Sequence, residues 1–247
     1  MARQLTFGSL FAGIGGFDLG FERAGMRCAW QVEIDPFCQR VLAKHWPDVR
    51  RWDDVRTFPP EPTEDWTCDV ICGGFPCQDI SSAGKKVGIG GERSRLWSEF
   101  ARVIRLVRPR YVVVENVAAL LDRGMGRVLQ DLVGLGMDAE WGVLSACAFG
   151  APHARERLFL CAYPTSVGQP KPRLFGAHAD RDATDGVWQT TDAVDAIRRG
   201  AVPALCGIAH GVPRGVDRLR GLGNAVVPQV AEWIGRRLME HNNRGTA

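Results

Sequence analysis

Residues 70–84, VICGGFPCQDISSAG, carry an apolar run into two glycines, then Phe75, Pro76 and Cys77, then a polar loop. A thiol just past the end of a strand can attack as a thiolate. Pro76 restricts the backbone before it, and Phe75 can screen it from water. A second group with chemistry lies in YVVVENV, where Glu115 follows four apolar or aromatic residues. A buried carboxylate there would cost several kcal/mol unless paired, which favours a role at the mouth of a strand. Thiol and carboxylate at neighbouring strand ends make a nucleophile and an acid.

Three other loops could hold a ligand. FAGIGGFDLG places glycines at 13, 15 and 16, so backbone can approach a ligand and turn into a helix. The pattern is not a strict G-x-G-x-x-G, and tight strand–helix packing explains it as well. VEID ends a strand at Glu33, where an acidic residue binds ribose hydroxyls. WDDV offers Asp54 to an adenine amino group. Any one of these acids could be a solvated or capping residue. On successive strands the three features together point to an adenosine-containing cofactor.

The elements that must position these groups alternate. LTFGSLF, CAWQVEI, CDVICGG and YVVVENV read as strands. GFDLGFERAG, PFCQRVLAKHW, RSRLWSEFARVIRLV and MGRVLQDLVGLG read as helices, with Gly25 ending the first and Pro36 starting the second. AEWGVLSA and RLFLCAY read as a closing pair of strands. This order predicts an α/β domain, a parallel sheet with helices on both faces. Residues 164 to about 216 are rich in Gly, Pro, Asp and Thr with weak periodicity, and read as an insert. Such an insert is expected to project from the sheet's active edge. Regular patterning returns at RLRGLGNAVVPQVAEWIGRRLMEH and ends in a helix.

The bulk composition is that of a globular protein: 247 residues, 45% hydrophobic, 24% charged and a formal net charge of +3, so the chain is no polycation. Between Lys85 and Arg110 stand Lys85, Lys86, Arg93, Arg95, Arg102, Arg105, Arg108 and Arg110 against Glu92 and Glu99. Such a stretch can track phosphates or form a solvated helix face. The eight cysteines include no C-x-x-C pair, and no metal site is expected. Neither a leader peptide nor a membrane span is expected, and a reduced cytosolic protein is.

The chain resembles the cytosine-5 DNA methyltransferases. SLFAGIGGFDLGFERAG is similar to the family's cofactor motif, GGFPCQDIS to its Pro-Cys motif, ENV to its Glu-Asn-Val motif, ARERLF to its Arg-x-Arg motif, and LGNAVVP to its C-terminal motif. The five occur in the family's order over about 1–163 and 217–240. The resemblance implies a Rossmann-like, S-adenosylmethionine-dependent methyltransferase sheet with a small inserted target-recognition region. It divides the chain into a catalytic and cofactor-binding domain (1–163), a short recognition insert (164–216) and a C-terminal segment that returns to the catalytic domain (217–247). It implies double-stranded DNA as substrate and methyl transfer to carbon 5 of a flipped-out cytosine through a covalent cysteine adduct.

The same resemblance carries roles onto residues. Cys77 is the nucleophile, Glu115 the acid on the ring nitrogen, Asn116 the residue that holds the loop, and Arg155 or Arg157 a help to the thiolate. Phe11, Ala12, Gly13, Gly15, Gly16, Phe17, Glu33, Ile34, Asp54, Val55, Pro76 and Leu96 line the cofactor site, completed by Asn224 and Ala225. Ser81 to Arg95 is similar to the family's active-site loop, which closes on DNA. Gln78, Ser81, Lys85 and Lys86 there, and Arg173, Arg198 and Arg199 in the insert, are candidate DNA contacts, with Arg181, Arg214, Gln169 and Gln189 as further base readers.

Two departures stand out. His153 occupies the place where the family has Gln, either as an altered donor or as a surface residue. The family's Arg-rich ninth motif is not recognisable before LGNAVVP. The short, nearly neutral insert is similar to phage or prophage-like members, and a trimmed, inactive insert is its alternative. Two functional alternatives stay open. One is an RNA (tRNA) cytosine methyltransferase, although the Cys-Phe-Thr of that branch is missing. The other is a catalytically inactive DNA-binding relative. A monomer working in the cytoplasm of a bacterial cell or phage-infected host, with a cognate restriction endonuclease as companion, completes the expectation.

Overall fold

In the computed structural model, residues 3–60, 65–76, 96–151, 153–165, 175 and 223–244 are described. The strands are β1 (Thr6–Leu10), β2 (Arg27–Val32), β3 (Arg50–Trp52), β4 (Val70–Gly73), β5 (Tyr111–Asn116), β6 (Met137–Ser145) and β7 (Glu156–Pro164). The helices are α1 (Gly16–Arg23), α2 (Pro36–His45), α3 (Leu96–Val107), α4 (Leu120–Arg123), α5 (Met125–Gly134) and α6 (Pro228–Arg244). One seven-stranded sheet has the order β3-β2-β1-β4-β5-β7-β6. The fold is Rossmann-like α/β, but the sheet is mixed. β1 to β5 pair in parallel, whereas β7 runs antiparallel to both β5 and β6. The short link between β6 and β7 permits only a hairpin-like return, which reverses the last strand.

Each strand of the parallel part has reasons to sit where it does. β4 and β5 are buried along their whole length, as befits central strands covered on both faces. On β5, Val112 and Val114 face one core layer with α3 and α5, while Tyr111 and Val113 face the other with α1 and α6. α3 places Trp97, Phe100, Ala101 and Ile104 on one stripe at helical spacing and stops ahead of Pro109. α2 starts at Asp35, whose carboxylate accepts from the Phe37 and Cys38 amides, with Pro36 in the first turn.

α6 brings the chain's end back to its beginning. A side chain at Gly16 would meet the Val226 carbonyl at 2.2 Å, and one at Gly20 the Pro228 carbonyl at 2.4 Å. Backbone therefore packs on backbone, and α6 runs parallel to α1. Val230, Ala231, Trp233, Ile234 and Leu238 fill the core layer beneath.

The insert leaves the sheet from the opposite end to the one the sequence suggests. Because β7 runs against β5, with Asn116 opposite Leu158 and Val112 opposite Ala162, Pro164 lies at the amino ends of the parallel strands. Thr165 donates there to the Gly136 carbonyl. Phe175 packs over Gly142 in mid-strand, and its amide donates to Glu140. The chain is next described at Gly223, whose carbonyl accepts from Arg155 at the active edge. The candidate contacts Arg173, Arg181, Arg198, Arg199, Arg214, Gln169 and Gln189 lie outside the described residues.

A buried polar cluster underlies the first loop. Asp18, fully buried in the first turn of α1, accepts from Ser9 on β1, Gln31 on β2 and the Cys28 thiol, at 3.1, 2.8 and 3.5 Å. Burial pushes its carboxyl up to about 6 against the hydrogen bonds that favour its charge. A raised carboxyl lends stability below its ordinary range near 4 and loses it as pH rises through about 6. That loss is about 3 kcal/mol at neutral pH. Asp18→Asn removes the charge. Its new amide can donate to the Gln31 Oε1, which is buried with no hydrogen-bond partner in the wild type, once the Gln31 amide turns over. The variant is expected to gain stability over wild type progressively from pH 4 to pH 7 in urea titrations. An unchanged difference across that range would refute the account.

Candidate active site

The carboxyl ends of β1, β2, β4 and β5 and the amino end of β7 meet at one edge. Phe11 to Phe17 leave β1 there. Gly15 opens α1 from a left-handed conformation with φ 88°, and the Ala12 amide donates to the Val32 carbonyl. Glu33 follows β2. Its carboxylate accepts from the Gly13 amide at 2.7 Å and the Asp35 amide at 2.8 Å, locking two loops together. Burial raises its carboxyl, and these amides oppose the rise. Each oxygen keeps lone-pair capacity for a further donor, so the site fits the hydroxyls of a ribose. Ile34 beside it is exposed at 62% and offers an apolar face.

Asp54 is more engaged than its sequence setting suggests. It caps the short turn Val55–Thr57 and binds the Arg56 guanidinium with both oxygens, which holds its carboxyl below the usual range. Val55 is buried, and its carbonyl accepts from Arg102 together with that of Phe58, at 2.6 and 2.7 Å. Arg102, part of the stretch read from sequence as either phosphate-tracking or a solvated helix face, is thus a brace between α3 and the turn that carries Asp54. Arg105, Arg108 and Arg110 fall at or beyond the far end of α3, away from the site. Leu96 opens α3, and Asn224 and Ala225 stand between Gly223, which accepts from Arg155, and Val226, whose carbonyl lies against Gly16.

β4 delivers Gly74, Phe75 and Pro76. Cys77, Gln78, Ser81, Lys85 and Lys86 follow, outside the described residues. Phe75 is buried against Trp97. Asn116, the last residue of β5, donates its amide to the Phe75 carbonyl at 3.1 Å and accepts from the Val117 amide at 2.9 Å. The residue two places before Cys77 is therefore stitched to the strand that carries Glu115.

Glu115 is 7% exposed and forms an ion pair with Arg157 at 3.1 Å. Burial drives its carboxyl up to about 6, and the charges of Arg157 and then Arg155 pull it down. A buried carboxylate at that strand end is therefore paired, and Arg157 serves it rather than standing apart as a free cation. Arg155 donates to the Gly223 carbonyl, linking the start of β7 to the segment that holds Asn224 and Ala225.

Sequence reasoning missed Gly74. A β-carbon there would come within 2.7 Å of Glu115 Oε2. The doubled glycine was visible in GGFPC, but the carboxylate it makes room for lies on the adjacent strand. Gly74→Ala is expected to push Glu115 off its place and lower the rate of any chemistry that uses this carboxyl by about 10²-fold, since an ångström of misplacement costs that much. Circular dichroism should stay near wild type. Full activity in the alanine variant would show that the contact is slack.

A family model for C-5 cytosine-specific DNA methylases matches residues 5–182. The chain belongs to this family. Among its relatives, the type II methyltransferase M2.BsuMI of Bacillus subtilis is 28% identical over 296 residues, covering 94% of this chain and 75% of that protein. M.Eco47II of Escherichia coli is 38% identical over 162 residues, covering 62% of this chain and 38% of its own length. A crystal structure assigned as a prophage-encoded DNA modification methyltransferase of E. coli superimposes with a TM-score of 0.56 at 26% identity, covering 65% of this chain and 47% of that one. The chain spans less than half the length of several other type II methyltransferases it matches. Among the described residues, no helix is long and apolar enough to cross a membrane.

Proposed function

We propose that this member of the C-5 cytosine methylase family transfers a methyl group from S-adenosylmethionine to carbon 5 of a cytosine in double-stranded DNA. The observation that supports this reading most is the pairing of Glu115 with Arg157 beside Asn116, which itself grips the Phe75 carbonyl two residues before Cys77.

The target base leaves the duplex stack, at a cost of a few kcal/mol that pocket contacts return. The Cys77 thiolate forms a bond to carbon 6 as the carbon 5–carbon 6 π bond opens, and Glu115 gives a proton to the ring nitrogen, so the adduct is neutral and carbon 5 becomes nucleophilic. Arg157 keeps the Glu115 carboxyl oriented, and Asn116 keeps Phe75 and Pro76 in line behind the thiol. S-adenosylmethionine, when bound, supplies the methyl group that carbon 5 takes up. Loss of the carbon-5 proton to a base then lets the carbon 6–sulfur bond break; Cys77 leaves as the thiolate it began as, and the ring nitrogen returns its proton to Glu115. Glu33 would hold the cofactor's ribose and the Phe11–Gly16 backbone its amino-acid end. Ile34, Asp54 and Val55 would flank its adenine, and Pro76, Leu96, Asn224 and Ala225 would close the pocket.

In this reading the insert over 164–216 chooses the DNA sequence, and the chain acts as a monomer in the cytoplasm of a bacterial cell or phage-infected host, alongside a cognate endonuclease. The test is methylation sequencing of DNA from cells that express the chain, paired with thermal melting of the purified protein with S-adenosylmethionine. Cytosine methylation in one sequence context, and a melting shift that Glu33→Ala weakens, are the expected results. Unmodified DNA together with an unmoved melting curve would overturn the reading.

A further inference from the structure

We propose that Arg56 sets how tightly the cofactor's adenine is held, by competing with its amino group for the Asp54 carboxylate. This rests on the cofactor assignment above and deepens it. An adenine amino group only donates, so it needs an oxygen lone pair that is free. Asp54 has none to spare. Its Oδ1 accepts from the Arg56 amide at 3.0 Å and from Arg56 Nε at 2.9 Å. Its Oδ2 accepts from the same Nε at 3.0 Å and from Nη2 at 2.6 Å. A carboxylate offers about four lone-pair directions, and these contacts fill them.

The amide contact and the side-chain contacts differ in kind. The amide belongs to the turn Val55–Thr57, which Asp54 caps, and it stays wherever the arginine side chain goes. Among the described residues, the guanidinium bonds to nothing but this carboxylate. The Arg56 side chain is 63% exposed, against 24% for that of Asp54. An ion pair so open to water and salt is weak and readily exchanged. A displaced guanidinium also has a second carboxylate at hand. The charge on Arg56 is favoured first by Asp54 and, to a lesser extent, by Glu99 on α3. Its departure disturbs no core contact, since Val55 stays buried with its carbonyl on Arg102.

The guanidinium and the amino group therefore exclude one another, and the ion pair of the free protein subtracts from cofactor affinity. It also narrows the preference for adenine. A purine without the amino group leaves the pair intact and loses nothing by it, whereas adenine must displace it. Arg56 is thus a specificity-determining residue that acts through Asp54.

The experiment titrates the chain by calorimetry, as wild type and as Arg56→Met, with S-adenosylhomocysteine and with its analogue carrying hydrogen in place of the adenine amino group. Methionine keeps an apolar stem and the turn's amide but cannot bond a carboxylate. Arg56→Met should bind S-adenosylhomocysteine about three- to fivefold more tightly than wild type, the range of an exposed ion pair. It should bind the analogue as wild type does, a discrimination that a merely structural role for Arg56 would not produce. In an Asp54→Ala background the same replacement should bring no gain, because the group competed for is gone. Unchanged affinity for S-adenosylhomocysteine in Arg56→Met would overturn the proposal and mean that the amino group and the guanidinium share Asp54. An equal gain for both ligands would also overturn it, because Arg56 would then act through its charge alone. Asp54→Ala binding both ligands as wild type does would remove Asp54 from the adenine site. No binding heat in wild type would sink the cofactor assignment, and the proposal with it.

Discussion

Replacing Cys77 by alanine is expected to abolish methyl transfer, by at least about 10³-fold, while leaving the cofactor's stabilising effect intact. In the proposed mechanism the first step forms a bond between sulfur and carbon 6, and alanine has nothing with which to form it. The rest of the site does not depend on that thiol. Asn116 grips the Phe75 carbonyl, and Glu33 is held by the Gly13 and Asp35 amides, whatever stands at position 77. S-adenosylmethionine at about 100 times its dissociation constant should still add roughly 2.7 kcal/mol to the folded state. The assay is tritiated methyl transfer to DNA beside thermal melting. DNA containing 5-fluorocytosine sharpens it, because fluorine cannot leave as a proton does. Wild type should form an adduct that survives denaturation, and the alanine variant should not. Turnover retained in Cys77→Ala would remove the thiol from the mechanism.

Glu115→Gln should cost about 10²- to 10⁴-fold in rate, the range of a lost general acid. An amide can hydrogen-bond a ring nitrogen, but it cannot supply the proton. The carboxyl's range, raised by burial to about 6 against the pull of Arg157 and Arg155, sets the pH behaviour. As pH climbs past that value the protonated fraction falls tenfold per unit, while the thiolate fraction of a cysteine still rises toward its ordinary range near 8.5. The two trends cancel between about 6 and 8.5, so the wild-type profile should be flat there and fall only above, whereas the glutamine variant should keep climbing with the thiolate to about 8.5. Stability moves the other way. A carboxyl raised on folding lends stability below about 4.5 and loses it as pH rises through about 6, a loss of about 2 kcal/mol at neutral pH. Glu115→Gln should be the less active and the more stable protein at pH 8. A variant that lost stability there would show that the Arg157 pair outweighs the burial.

Much of this was legible because it rests on local pattern. Glu115 stood out as a charge at the end of an apolar run, and the alternation of short β-branched runs with helical stripes marked β1, β2, β4, β5 and the helices between them. β3 was not legible. Arg50, Arg51 and Trp52 form no apolar run, and they are a strand only because β2 offers them a ladder. The mixed sheet and the end from which the insert leaves follow from the reversed direction of β7, which composition does not encode. Partnerships across the chain were hidden for the same reason. Arg157 reaches Glu115, and Arg102 reaches Val55, only after distant segments have been brought side by side. Nothing local marks Asp18 as buried, since its burial depends on Ser9 and Gln31, from two strands, lying beneath it.

The course of the chain between Pro164 and Gly223 bears on how such proteins can be recombined. The two anchor points lie at opposite ends of the sheet, one beside Gly136 and the other beside Arg155. β6, nine residues long, separates them by nearly 30 Å at about 3.3 Å per residue. A loop grafted between adjacent strand ends can be exchanged like a cartridge, because its stems nearly touch. Here any replacement must span the sheet, and at least about eight extended residues go to that distance alone. A chimera that cuts at the two anchors and splices in a compact foreign module would pull α6 off α1. One that keeps both anchors, with Phe175 still seated over Gly142 and Gly223 on Arg155, leaves the sheet and α6 undisturbed.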